Sequence, residues 1–307
     1  MTDISVVIVS YNVKQLLLDC LTTIYAQAPA GLVIETIVVD NNSSDDSVAA
    51  VIAAFSQVTV IANQFNAGFS GANNQGIGIA RGKYIFLLNP DTEIVEDAIA
   101  QLYHFMLMEP SCAIVAPQLL NSDRSIQLSV WKNHGVSDLV TETFFLHKVI
   151  NRLHYPSPVL NTTFEAKTFS GAALFFRKEL IEEIGLLDER LFWMEDIDFC
   201  LRAQPEGKLI YLHTAQVLHY SGQSQKKNYN VAIANQLLSK LKFYKKHASS
   251  FSVYIADLSC FIFIISRLIA FSVLLPFRKL FRLKAKAYFY TLKRFFSYMF
   301  LNDNRLV

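Results

Sequence analysis

Short apolar runs alternate with amphipathic stretches from the first residues onward, and this alternation predicts the order of elements. Ile4–Asn12 (ISVVIVSYN) is a β-branched run ending in Ser-Tyr-Asn, the pattern of a buried strand. Leu16, Leu17, Cys20, Leu21 and Ile24 then fall on one face of a helix. A second buried strand follows in ETIVVD, with Asp40 at its end. Ser43 and Ser44 are expected to cap the next helix, Asp45 and Asp46 suit its positive end, and the helix should run to about Phe55. VTVIAN reads as a third strand. The glycine-rich NAGFSGANNQGIGIARGK leads into a helix whose backbone N–H groups could face phosphate. YIFLLNPD (Tyr84–Asp91) is a buried run stopped by Asn-Pro. The order β-α-β-α-β-α-β implies an α/β fold with a mostly parallel sheet covered by helices on both sides.

In such a sheet, ligands bind outside the carboxyl ends of the strands. Asp91 lies at one of these ends, where a diphosphate-bound metal would be held. Glu195 and Asp196 follow a second aromatic-rich segment, FWMEDIDFCLR at Phe192–Arg202. One carboxylate for a metal and another for proton transfer are the minimum kit for moving a sugar from a nucleotide to a hydroxyl. Each residue also has a plainer reading. Asp40 could cap a helix, Asp91 could serve the Asn-Pro-Asp turn, and Glu195 and Asp196 could match a helix dipole. The glycines of GANNQG could serve helix–sheet packing, and Arg202 is either a solvated charge or an anion clamp.

In order along the chain stand VVIVSYN, IVVDNNSSDDS, NAGFSGANNQGI, FLLNPD, FSGAALFFRKE, MEDIDFCLR and VLHYSG. Together they resemble the inverting family 2 glycosyltransferases of GT-A fold, the nucleotide-diphospho-sugar transferase fold. The likeness is greatest to the rhamnosyltransferase-like branch of cell-surface polysaccharide synthesis, which often has Asn-Pro-Asp in place of Asp-x-Asp. The resemblance spans Ile4 to Gly222. It implies a nucleotide pocket formed by Ser10, Tyr11, Asn12 and Asp40, with Asn66, Gly68, Phe69, Ser70 and Asn74 around the nucleotide and sugar. It implies Asp91 as ligand of a divalent cation, Mg²⁺ or Mn²⁺, that bridges the two phosphates. His219 matches a position that completes the metal shell in some relatives, though a histidine beside Tyr220 also reads as a packed one; an imidazole would tilt the site toward Mn²⁺. Asp196 becomes the general base, while Glu195 either positions its neighbour or touches the acceptor. The implied reaction is transfer of one sugar from a nucleotide-diphosphate donor to a lipid-linked or polysaccharide hydroxyl, with inversion. The Gln-x-x-Arg-Trp motif and the transmembrane array of processive synthases are absent from the sequence, which favours one sugar per acceptor. A nucleotidyltransferase would need a Gly-rich basic loop after the first strand, where Ser10-Tyr11-Asn12 stands. A non-catalytic sugar-nucleotide scaffold would have no need of both Asp91 and Asp196.

Charge divides the chain unevenly. Residues 1–239 hold 15 Lys and Arg against 24 Asp and Glu, whereas residues 240–307 hold 13 against 2, so the net +2 hides a basic tail. Domain boundaries are therefore expected at 1–239, split near 117 into nucleotide-binding and acceptor halves, and at 240–307. IADLSCFIFIISRLIAFSVLLPF is strongly apolar but interrupted by Asp257 and Arg267. A span needs about 20 apolar residues, and a central Arg costs roughly 2.5–3.5 kcal/mol on insertion scales. FRKLFRLKAKAYFYTLKRFF then mixes seven basic residues with aromatics and no acids, as a helix lying among lipid headgroups would. The expectation is a peripheral or monotopic tail on the cytoplasmic face of the membrane; the plain alternative is a packed helical hairpin. No nucleic acid partner is expected. Cys20, Cys112, Cys200 and Cys260 show no metal spacing and read as reduced structural thiols. The first strand begins at Ile4, which leaves no room for a cleavable signal peptide. Between Gln118 and Lys167 the pattern is least legible, and Trp131 reads equally as a sugar platform or a core residue. FSGAALFF (Phe169–Phe176) reads as one strand bordering the sugar pocket.

Overall fold

A computed structural model of the 307-residue chain describes residues 2–132, 134–146, 157–220, 229–274 and 279–301. In chain order the elements are β1 (Ile4–Ser10), α1 (Lys14–Ala26), β2 (Ile34–Asp40), α2 (Ser47–Ala54), β3 (Thr59–Ala62), α3 (Gly68–Ile79), β4 (Tyr84–Leu88) and β5 (Thr92–Val95). There follow α4 (Ala98–Met108), β6 (Cys112–Leu120), β7 (Val130–Trp131), α5 (Val136–Thr143), β8 (Phe164–Glu165), β9 (Thr168–Phe169), β10 (Ala173–Arg177) and α6 (Leu180–Ile184). The last are α7 (Glu195–Ala203), β11 (Lys208–His219), α8 (Tyr229–His247), α9 (Ser250–Val273) and α10 (Lys279–Leu301). These elements form two compact units.

The first unit holds residues 2–132, 157–189 and 195–220. Its main sheet runs β3-β2-β1-β4-β10-β6-β11-β5, with β8 beside β11. β1 to β4 are parallel, as the alternation implied, with Ile4 opposite Ile34 and Ile8 opposite Leu88. Beyond β4 the sheet is mixed. β10 is antiparallel to both β4 and β6, and β11 is parallel to β6 but antiparallel to β5. Strands buried on both faces read as unbroken apolar runs. Accordingly Ile4, Val6 and Ile8 pack with Leu17 and Leu21 of α1 and Leu102 and Met106 of α4. Val7 and the β2 residues Ile37 and Val39 pack on the other face, with Ala72 of α3 and Phe199 of α7. Gly76 is a packing glycine, since a Cβ there would come 2.4 Å from Val7 Cγ1. The four cysteines are free and buried, and burial pushes the thiols of Cys20, Cys112 and Cys260 up to about 12.

Two local expectations are corrected. Ser43 and Ser44 do not cap α2, which begins at Ser47 behind an Asp46 in the left-handed region (φ 61°). Asp45 Oδ1 accepts the Ser47 N–H instead. FSGAALFF is not one strand: Gly171 and its neighbours separate β9, paired with β7, from β10 in the main sheet.

The second unit holds residues 134–146, 190–194, 229–274 and 279–301. α8 runs unbroken through the expected boundary between residues 239 and 240. α9 packs against α5, α8 and α10, with Phe271 stacked on Phe281 and Tyr288. Arg267 is buried: its guanidinium donates to the carbonyls of Thr143 (2.7 Å) and Glu142 (3.0 Å) at the end of α5 and lies 4.1 Å from the Phe145 and Phe263 ring centroids. The expectation that Arg267 breaks the apolar run of α9 therefore fails for its outward face. That face carries Phe251, Tyr254, Leu258, Ile269 and Val273, all exposed. Among the described residues, α9 is the one helix long and apolar enough to cross a membrane. Pro276, Phe277 and Arg278 of the sequence reading, and residues 147–156, lie outside the described residues.

Candidate active site

The parallel strands deliver their polar ends to one edge. Ser10 and Asp40 are register partners at the ends of β1 and β2, and both are buried. Asp40 Oδ2 accepts the Ser43 N–H at 2.8 Å, a local turn bond, but Oδ1 has no partner. Ser10 Oγ and Ser70 Oγ are likewise buried without a partner. A buried, unmatched polar atom costs about 1–3 kcal/mol, so three such atoms gathered by β1, β2 and α3 favour a polar ligand. Tyr11 is exposed beside them. Asn12 has φ 54°, donates its N–H to Ser43 Oγ, and accepts the Ser44 N–H on Oδ1 (2.8 Å). Its side-chain oxygen thus ties two loops together.

The start of α3 is set by Asn66 and Gly68 together with Asn41, which the pattern did not single out. Asn41, directly after Asp40, donates Nδ2–H to Gly68 O (3.0 Å), and its Oδ1 accepts from Asn63 Nδ2 and Ala67 N. Asn66 is exposed and accepts the Gly68 N–H on Oδ1, so one N–H at this helix end is already matched. Gly68 is left-handed (φ 75°), which favours glycine there. Phe69 is half-buried. Asn74, expected to line the pocket, uses its amide otherwise. Nδ2 donates to Leu187 O and Glu189 Oε1, and Oδ1 accepts the Leu187 N–H. Its role is a clasp on the 187–189 loop. Asn41 could have been found only from its place beside Asp40; no spacing marks it.

The two acidic motifs meet the sheet at the same edge. β10 lies next to β4, and Asn89 N donates to Ala172 O (2.9 Å), so Gly171 stands beside the turn that carries Asp91. Gly171 N donates to Asp196 Oδ2 (2.8 Å), and Ile197 N donates to Oδ1 (2.8 Å) at the start of α7. A Cβ on Gly171 would sit 3.1 Å from Asp196 Cβ and 3.5 Å from Phe69 Cε1. Burial raises the Asp196 carboxyl to about 6, more than these backbone N–H groups lower it. A carboxylate with such a value is suited to accept a proton near neutral pH. Glu195 is buried at the first position of α7. Arg202 is neither solvated nor an anion clamp: it pairs with buried Asp198 (2.9 Å) and donates to the carbonyls of Ile184, Gly185 and Leu186. Trp131 is half-buried in β7.

His219 ends β11 opposite Thr92, the residue after Asp91. Its Nε2 lies 3.4 Å from Asp91 Oδ1, and the Tyr220 N–H closes the turn on Asp91 O (2.9 Å). Tyr220 O–H also donates to Glu93 Oε1 (2.8 Å). His219 Nδ1 is 2.6 Å from Gln127 Oε1, a partner that the sequence reading missed. Among the described residues no group of three or more His, Cys, Asp or Glu gathers to hold a metal alone. One carboxylate oxygen and one imidazole nitrogen facing each other do fit a cation that takes its remaining ligands from diphosphate oxygens. Ser221 and Gly222 of the VLHYSG motif lie outside the described residues.

Residues 5–185 match the family model described as glycosyl transferase family 2. The chain is 26% identical over 258 residues to the low-salt glycan biosynthesis hexosyltransferase Agl10 of Haloferax volcanii, covering 82% of this chain and 72% of that protein. It is 28% identical over 193 residues to glycosyltransferase GlyG of Streptococcus pneumoniae, covering 62% of this chain and 61% of the relative. The fold is shared with the mannosyltransferase PcManGT of Pyrobaculum calidifontis, solved in complex with GDP-Man and Mn²⁺: TM-score 0.58, 15% identity, 99% of this chain and 90% of that one.

Proposed function

This chain belongs to glycosyl transferase family 2 and has the GT-A fold, and from that premise we propose a divalent-metal-dependent, inverting transferase that adds a single hexose or deoxyhexose, rhamnose among them. The observation that carries the reading is Asp196, raised to about 6 and held by the Gly171 and Ile197 N–H groups at the sheet edge that also presents Asp91. Ser10, Tyr11, Asn12 and Asp40 would hold the nucleoside, Asp40 and Ser10 through their unmatched oxygens. Asn66, Gly68, Phe69 and Ser70 would line the donor sugar and diphosphate, with Asn41 and Asn74 fixing the backbone around them. Asp91 and His219 would hold Mg²⁺ or Mn²⁺, as the Mn²⁺ complex of the Pyrobaculum enzyme encourages. Such an ion supplies positive charge to the departing diphosphate. Asp196 accepts the proton of the acceptor hydroxyl as its oxygen bonds to the anomeric carbon, opposite the nucleoside diphosphate. Positioned general bases contribute about 10²–10⁴-fold. Glu195 would orient Asp196 or the acceptor.

The acceptor we infer is lipid-linked or a cell-envelope polysaccharide, reached at the cytoplasmic face of the membrane. The exposed apolar face of α9 and the Lys- and Arg-bearing α10 support peripheral or monotopic attachment. Crossing by α9 is disfavoured because α8 and α10 flank it with charged side chains such as Lys240, Lys245 and Lys284. A screen of nucleotide sugars for metal-dependent nucleoside diphosphate release tests the reaction. Release with none of them, in the presence of membrane lipid extract and Mn²⁺, would overturn it.

A further inference from the structure

A chain of polar contacts beside the candidate metal pair has a direction that can be followed from one end. Asp123, on the loop after β6, can only accept hydrogen bonds when ionised, and the bonds from Ser125 hold its carboxyl below the usual range. Ser125 O–H donates to Asp123 Oδ1 (2.6 Å), so Ser125 Oγ can only accept from Asn121 Nδ2 (2.9 Å). That fixes the Asn121 amide, whose Oδ1 accepts from Gln127 Nε2 (2.9 Å). Gln127 Nε2 also donates to His219 O (3.0 Å). With both N–H groups of Gln127 so matched, its Oε1 is the atom that faces His219 Nδ1, 2.6 Å away. An oxygen with no hydrogen requires the N–H on Nδ1. In the neutral ring the other nitrogen, Nε2, is then a lone pair, and it is the atom 3.4 Å from Asp91 Oδ1, with Asn89 Nδ2 at 3.5 Å as a weak donor on the same side.

We propose that Gln127 is a positioning residue: anchored through Asn121 and Ser125 to Asp123, it locks His219 in the Nδ1–H form and so presents Nε2 as a ready metal ligand beside Asp91. This rests on the metal reading of Asp91 and His219 given above, and it adds the residues that decide the state of the imidazole. Partners of this kind on the far nitrogen of a ligating histidine are worth about 10–100-fold in metal affinity.

Two variants separate positioning from mere packing. Gln127→Met keeps the stem and loses the oxygen. Gln127→Glu keeps an acceptor for Nδ1–H but loses both donors, to Asn121 and to His219 O. If Gln127 only packs the loop, the Glu variant is harmed at least as much as the Met variant. The first measurement is the long-range ¹H–¹⁵N spectrum of His219 in full-length, metal-free protein labelled at histidine, above pH 8. The wild type should show Nδ1–H alone, Gln127→Met a mixture of both forms, and Gln127→Glu Nδ1–H again. The second is Mn²⁺ affinity in separate titrations with UDP, GDP and dTDP. It should fall about tenfold or more in Gln127→Met and stay within about twofold in Gln127→Glu. A wild-type His219 bearing its proton on Nε2, or equal loss of Mn²⁺ affinity in both variants, overturns the part assigned to Gln127 alone. Wild-type protein that binds no Mn²⁺ with any of the three nucleotides overturns the metal reading and this proposal together.

Discussion

Gly171 donates its backbone N–H to Asp196 Oδ2 at 2.8 Å, and a Cβ on Gly171 would stand 3.1 Å from Asp196 Cβ. The glycine lets the strand entry and the start of α7 approach until the carboxylate is held by main chain. Gly171→Ala should therefore push Asp196 out of place while leaving donor binding intact. The expected outcome is a fall in kcat of about tenfold or more, with nucleoside diphosphate affinity unchanged by calorimetry. Unchanged turnover in a folded Gly171→Ala protein counts against this geometry.

The raised value of Asp196 gives a pH profile and a stability effect of known sign. In its proposed role as base it must be ionised, so kcat should decline as pH drops through about 6. For stability, the folded value exceeds the unfolded 3.8, so the native state holds this proton more tightly. Its contribution is present below about pH 4 and is lost as pH rises through about 6. Asp196→Asn should accordingly melt at a higher temperature than wild type at pH 7.5, with the gap closing at pH 4. A lower melting temperature for the variant at pH 7.5 would contradict the assigned cause, burial.

Division of labour between the two acids follows from their places. Asp91 faces His219 at 3.4 Å, the pair proposed to hold the cation, whereas Asp196 is bonded to Gly171 and Ile197. Asp91→Ala should lose metal-dependent binding of the nucleoside diphosphate. Asp196→Asn should keep that binding and lose transfer by about 10²–10⁴-fold. Equal loss of binding in both, each correctly folded, would remove the assignment.

Close packing of α3, and of the turn between α3 and β4, against β1 predicts stability costs away from the chemistry. A Cβ at Gly76 would meet Val7 Cγ1 at 2.4 Å, and one at Gly82 would meet the backbone N of Ser5 at 2.5 Å. Overpacking a core costs about 1–3 kcal/mol, and backbone yields less than a side-chain methyl. Gly76→Ala should destabilise measurably in urea, and Gly82→Ala should do so more. Wild-type midpoints for both would show that α3 and the turn after it shift freely on β1.

What was legible in the sequence was local. Runs such as Ile4–Ser10 and Tyr84–Leu88 announced strands buried on both faces, and Asn-Pro announced the end of the second at Leu88. Direction was not legible: nothing in Ala173–Arg177 says that β10 runs antiparallel to β4, because strand sense depends on the end of the sheet at which the connecting chain re-enters. The individual acids were visible as motifs, but their holders were not. Gly171 bonds a residue 25 positions on, Gln127 one 92 positions on, and Asn74 one 113 positions on. Arg267 misled for the same reason. It read as a charge within an apolar run, yet its partners Glu142 and Thr143 lie more than a hundred residues earlier.

The second unit provides the sharpest contest between attachment and spanning. Arg267 points inward to the end of α5, leaving an uncharged outward stripe on α9 in Phe251, Tyr254, Leu258, Ile269 and Val273. On α10, exposed Leu283, Phe289, Phe296 and Phe300 share the helix with Arg282, Lys284, Lys286 and Lys293. The Lys284 ammonium lies 5.1 Å from the Phe271 ring centroid and that of Lys293 4.8 Å from the Phe289 centroid, so cations and aromatic rings sit together here, as they would among anionic headgroups. Each such cation near an anionic surface is worth about 1 kcal/mol, and the attraction fades with salt. The full-length protein should float with vesicles containing anionic phospholipid, bind neutral phosphatidylcholine vesicles less, and release as salt rises. Leu258→Glu combined with Ile269→Glu places two charges on the outward stripe and should abolish flotation while the protein still binds nucleoside diphosphate with Mn²⁺. Topology is then decided in intact cells with Val307→Cys in a background lacking the native cysteines. Protection from an impermeant thiol reagent is expected of a tail lying on the cytoplasmic leaflet. Labelling from outside would mean that α9 crosses, against the tendency of basic segments such as residues 278–294 to stay inside.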